Sequence, residues 1–63
     1  MTPNEAAEII EVIVTADGGC YTCIHNLYVG LQEKLASVDW VYAVKLAKIT
    51  DRERDILLNW DDT

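Results

Sequence analysis

Apolar and polar residues along this chain recur mainly at spacings of three and four, the period of amphipathic helices. Thr2-Pro3-Asn4-Glu5 supplies a capping residue, a proline suited to the first helical position, and a glutamate placed to complete a capping box with Thr2. At about 100° per residue, Asn4, Glu8, Glu11 and Thr15 share one narrow arc. Ala6, Ile9, Ile10, Ile13 and Ala16 fall within a broad apolar face edged by Ala7 and Val12, and Gly18 and Gly19 end the helix. A strand competes for the same stretch. Six of the seven residues from Ile9 to Thr15 are β-branched, and Ile10, Val12, Val14 and Ala16 would share a face. The helix is preferred because it explains the cap as well as the run.

In the second segment, Cys20, Ile24, Leu27, Leu31, Leu35 and Val38 form one stripe. It predicts a helix over about residues 20 to 36, with Tyr21, Thr22, His25, Gln32 and Glu33 opposite, Asp17 placed to cap its start and Ser37 near its end. The last third admits a hairpin, Trp40 to Ile49 pairing with Ile56 to Trp60 around Arg52 and Glu53. Strand alternation would put Lys45 and Lys48 on opposite faces, whereas a helical period lines up Lys45, Lys48, Arg52 and Asp55. No Gly or Asn-Gly turn separates the segments, and Thr50-Asp51-Arg52-Glu53 repeats the capping box, predicting a short helix carrying Ile56, Leu57 and Trp60. The expectation is an all-α single domain over residues 1–63 with three or four short helices. The alternative is α+β, a truncated ferredoxin-like βαββ arrangement. Asp61-Asp62-Thr63 reads as a frayed tail.

Composition narrows the function classes. A chain of 63 residues has no room for separate cofactor and substrate lobes, and 51% apolar with 25% charged residues argues against wholesale disorder. The net charge of −6 speaks against direct nucleic-acid binding, which draws on clustered Lys and Arg. Charge is also uneven: residues 1–32 hold Glu5, Glu8, Glu11 and Asp17 and no base, while residues 33–63 hold the other seven acids and all five bases. Val12-Ile13-Val14 is far shorter than the ~20 apolar residues of a membrane span. Met1-Thr2-Pro3-Asn4-Glu5 has no cation ahead of its apolar residues and does not read as a secretory signal. Two cysteines are too few for a disulfide framework, so a cytoplasmic, reduced setting is expected. A core this small makes self-association a natural source of added stability.

Cys20-Tyr21-Thr22-Cys23 is the one motif with chemistry of its own. Two thiolates at this spacing can supply half of a tetrahedral zinc or copper site, and at a helix N-terminus they are activated for redox exchange. Both also fall on or beside the apolar stripe, where free cysteine packs as a small apolar side chain. Helical neighbours three apart lie about 5–6 Å from each other at Cβ, beyond the ~3.5–4.5 Å of a disulfide, so oxidation calls for local distortion. Gly19-Cys20-Tyr21-Thr22-Cys23, with Leu27, Leu31, Leu35 and Val44-Lys45-Leu46, resembles a heavy-metal-associated copper-chaperone domain. That resemblance implies a βαββαβ fold and a soft monovalent metal on Cys20 and Cys23. The chain departs from it at Asp17, where that family has glycine, in lacking the loop methionine, and in having little length left for the last helix and strand. An apolar run before CxxC and a helix after it also look thioredoxin-like, but the sole proline is Pro3 and the facing cis-proline has no counterpart. Neither family is adopted, and packing, metal ligation and redox exchange stay open for the pair.

His25, the sole histidine, points away from the cysteine stripe and reads as a solvated surface residue. There is no HExxH, no evident Ser-His-Asp set, and Gly18-Gly19 lacks the Lys of a phosphate loop. The expectation is a small acidic non-enzymatic interaction or regulatory domain, acting through helix-mediated contact as a dimer or accessory subunit and needing no cofactor. Ile9, Ile13, Trp40, Trp60, Glu8 and Glu11 are its candidate contact residues. The alternative is a thiol protein binding zinc or copper at Cys20 and Cys23, or cycling between dithiol and disulfide.

Overall fold

Helices form where the capping boxes and apolar spacing place them. The computed structural model describes residues 1–60, so the frayed-tail reading of Asp61-Asp62-Thr63 lies outside the described residues. In chain order come α1 (Pro3–Asp17), α2 (Tyr21–Lys34), α3 (Trp40–Leu46) and α4 (Asp51–Leu58). The Thr2 hydroxyl accepts the Glu5 amide and the Glu5 carboxylate accepts the Thr2 amide, and Thr50 and Glu53 repeat the exchange at α4. Hydrogen bonds donated to the Glu5 carboxylate by the Thr2 amide and, second, by the Thr2 hydroxyl hold it below its usual pKa. No strand occurs among the described residues, so the α+β alternative is not supported. β-Branching carries a modest helix penalty, and the cap and buried face of α1 outweigh it.

Packing centres on α1, which lies most extensively against α3 and next against α2, while α4 closes on α2 and α3. Ile10 of α1, Ile24 of α2 and Val44 of α3 are wholly buried, and Leu57 of α4 joins them in one cluster. The inward faces are rotated from those expected. On α1, Ala7 and Val14 are buried and Val12 is 66% exposed; on α2, Ile24 and Tyr28 face inward and Leu27 is 44% exposed. The cause is that α2 serves two neighbours, α1 and α4, so its core side is not the single leucine stripe.

Helix ends also differ in detail. The N-cap of α2 is Cys20, not Asp17, whose backbone carbonyl instead accepts the Cys20 amide at 2.8 Å. Gly18 ends α1 with right-handed φ −60°, so no left-handed cap explains it. A Cβ there would lie 2.6 Å from the Val14 carbonyl oxygen, which excludes a side chain. Past the end of α2, the Trp40 indole N–H donates to the Leu35 carbonyl at 3.0 Å.

The C-terminus of α3 is tied to two other helices. The Lys48 amide donates to the Glu11 carboxylate of α1 at 3.1 Å. Arg54 of α4 donates through Nε to the Val44 carbonyl at 3.3 Å and through Nη2 to that of Ala47 at 2.9 Å, while its Nη1 meets Asp51 at 3.1 Å. One guanidinium thus satisfies carbonyls that the helix end leaves open and places positive charge where the dipole favours it.

Two stability predictions follow from these contacts. Arg54→Ala is expected to lose about 1–3 kcal/mol in urea unfolding, and Arg54→Lys to recover little, because an ammonium cannot span both carbonyls and Asp51. Full recovery by lysine would contradict the fork geometry. Tyr28 is 3% exposed, and its hydroxyl has no hydrogen-bond partner among the described residues. Burial, then the charge of Asp39, raises its pKa above the ordinary 10.0. With the folded value raised, its contribution is intact below 10.0 and is lost as pH climbs through the folded value. Tyr28→Phe should therefore gain about 1 kcal/mol at neutral pH, with the gain widening in alkali. Parallel unfolding curves at neutral and alkaline pH check this; a constant or negative difference would contradict it.

Candidate functional site

The exposed surface of α1 joins apolar side chains to carboxylates of one sign. From the chain start, Met1, Glu5, Glu8, Ile9, Val12 and Ile13 line one shallow depression, and Glu8, Glu11, Val12, Thr15 and Ala16 line the next. Ile9 and Ile13 then turn toward α2, where Asn26, Leu27, Gly30, Leu31 and Lys34 complete a third groove. The seam exists because α1 carries more apolar positions than the core accepts. Ala6, Ile10 and Val14 go inward, Ile9 and Ile13 are half-buried at the flank, and Val12 is left outside. Gly30 keeps the α2 wall low, since a Cβ there would touch nothing within 4 Å.

Electrostatics reinforce the seam. α1 holds Glu5, Glu8, Glu11 and Asp17 and no base, and Lys34 is the sole cationic side chain among the residues lining the three depressions, beside the N-terminal amine of Met1. The one ion pair among the described residues, Arg54–Asp51, belongs to α4. Glu8 is exposed, whereas Glu11 spends part of its charge on the Lys48 amide.

The residues expected at an interface therefore divide. Ile9, Ile13, Glu8 and Glu11 share the α1 surface. Trp40 does not: it is 3% exposed and held by its bond to Leu35, so it belongs to the core. Trp60 is half-buried and stacks on His25 with ring centroids 4.8 Å apart and planes inclined by 21°. At about 100° per residue, His25 lies roughly opposite Gly30 and Lys34 on α2, so the Trp60 contact is on another flank. The expected solvated His25 is accordingly a half-buried packing residue. Val12, Leu27 and Leu31 were not among the expected contacts. Their signal was the excess of apolar residues on α1 and α2 over what one short stripe accommodates.

Cys20 and Cys23 meet in a disulfide, so neither the reduced setting nor the packing of two free thiols describes the pair here. The helical-spacing objection to oxidation fails for a local reason. Cys20 is not helical: as N-cap it has extended φ −129° and ψ 96°, which turns its sulfur back over the first turn, where it accepts the Cys23 amide at 3.2 Å. As a disulfide neither sulfur is available as a thiolate ligand, and no group of three or more His, Cys, Asp or Glu converges as a metal cage among the described residues.

No described helix is long and apolar enough to cross a membrane. No family model matches the sequence, and neither a curated protein nor a solved structure matches it.

Proposed function

We propose that the chain is a small docking module whose α1–α2 seam, a surface that binds without catalysing, takes an apolar segment flanked by Lys or Arg on a partner protein. One observation carries the reading. A helix with four acids and no base presents Val12, Ile9 and Ile13 beside three of them, Glu5, Glu8 and Glu11, and continues into a groove walled by Leu27 and Leu31. Exposed apolar area of this kind favours burial against a partner, and carboxylates at its rim select the sign of that partner's charge. A second copy of the chain fits less well than a basic segment, because pairing through this face brings Glu5 and Glu8 of two molecules together. The same carboxylates repel nucleic-acid phosphates. In this reading the seam acts by binding alone.

Synthetic peptides provide the test: an amphipathic Leu/Lys helix and its Leu/Glu counterpart, each titrated against the labelled chain by NMR. The Lys peptide should shift amides of α1 and of Leu27 to Leu31, with affinity falling at least ~5-fold in about 1 M salt, where the Debye length is near 3 Å. Glu8→Lys should weaken binding by a similar factor and Val12→Asp should remove it, both with unchanged circular dichroism. Equal binding of the two peptides, binding of neither, or concentration-dependent pairing of the chain through α1 would overturn the proposal.

A further inference from the structure

The Cys20–Cys23 bond is a poor staple. It closes one turn at the start of α2 and joins no two helices. In the chain-entropy account so short a loop contributes less than half of what a long one does. What the position does favour is the reduced form. Sγ of Cys20 already accepts the Cys23 amide, at the end of a helix where negative charge is stabilised. A thiolate accepts that bond more strongly than a disulfide sulfur, which makes the disulfide easier to reduce. Cys20 and Cys23 are both half-buried and lie outside the core cluster, so the bond is not enclosed by it.

We propose that Cys20 and Cys23 form a thiol–disulfide exchange site whose substrate is a thiol, either of a small peptide or of a protein dithiol. In the first step a substrate thiolate attacks Sγ of Cys20, the Cys20–Cys23 bond breaks, and Cys23 leaves with the electron pair as a thiolate. A second substrate thiolate then attacks the substrate sulfur of the mixed disulfide and expels Cys20 as the thiolate held at the helix N-terminus. Two substrate thiols are oxidised to one disulfide, the protein disulfide is reduced to a dithiol, and the protons of the substrate thiols pass to solvent and to Cys23. Run backward, the Cys20 thiolate is the nucleophile and Cys23 the resolving thiol. The site lies at the start of α2, apart from the docking seam, and does not rest on it.

The test equilibrates the oxidised protein with buffers of reduced and oxidised glutathione, and separately with a reduced two-cysteine peptide, and counts thiols by alkylation and mass spectrometry. Interconversion across the glutathione series is expected, with helix content retained in both states. Reaction with glutathione as well as the peptide identifies small thiols as substrates, and reaction with the peptide alone a protein dithiol. In the reduced protein at about pH 6, Cys20 should alkylate at least ~10-fold faster than Cys23. Cys23→Ser should hold glutathione on Cys20 as a mixed disulfide. Cys20→Ser, whose hydroxyl preserves the cap, should fold equally well and trap at least ~10-fold less. A disulfide that resists both reductants, glutathione trapped preferentially on Cys23, or loss of the helices on reduction would overturn the proposal.

Discussion

Ile10, Ile24 and Val44 come from three different helices and are wholly withdrawn from water. Burying side chains of this size contributes on the order of 1.5–3 kcal/mol each, and truncating one in a filled core costs about 2–5 kcal/mol. A domain of this length has only a few kcal/mol of net stability, so each of the three is a large part of what keeps the chain folded. Their enclosure fixes where everything else goes. Once Ile10 is inward, Val12 on the far side of α1 is left outside, and on α2 it is Tyr28 rather than Leu27 that joins Ile24 in the core.

Polar connections complete what the small core leaves loose. The end of α3 is the clearest instance: its Val44 and Ala47 carbonyls pass to Arg54 of α4, while the following Lys48 amide passes to Glu11 of α1. Three helices are thereby held in register at one point, where the Val44 and Ala47 carbonyls and the Lys48 amide all have partners. Within α1, Glu11 is partly committed to holding α3, whereas Glu8 and Val12 stay exposed and Ile9 and Ile13 half-buried at the flank.

Much of the architecture was legible in local chemistry. Thr2 with Glu5 and Thr50 with Glu53 mark two helix starts to the residue, and the apolar face of α1 is broader than its neighbours bury, leaving Val12 outside. What periodicity could not resolve was the direction of each buried face, because that depends on how many neighbours a helix acquires. Tyr28 is buried and Leu27 is not because α2 packs against both α1 and α4. Trp40 and Trp60 look alike in the sequence, yet one fills the core beneath the end of α2 and the other stacks on His25. The disulfide was hidden for a similar reason: helical spacing argues against it, and only the extended backbone of Cys20 at the cap removes the objection.

A fold held by Ile10, Ile24 and Val44 leaves the turn at Cys20 free to break and re-form its bond without unravelling the helices. Amide hydrogen exchange, followed by NMR on the oxidised and the dithiol protein, addresses this most directly. The slowest amides should lie in the helical turns around Ile10, Ile24 and Val44 in both states, with reduction accelerating exchange only in the first turn of α2. Protection lost throughout α1 and α3 on reduction, or slowest amides confined to residues 20–24, would contradict it.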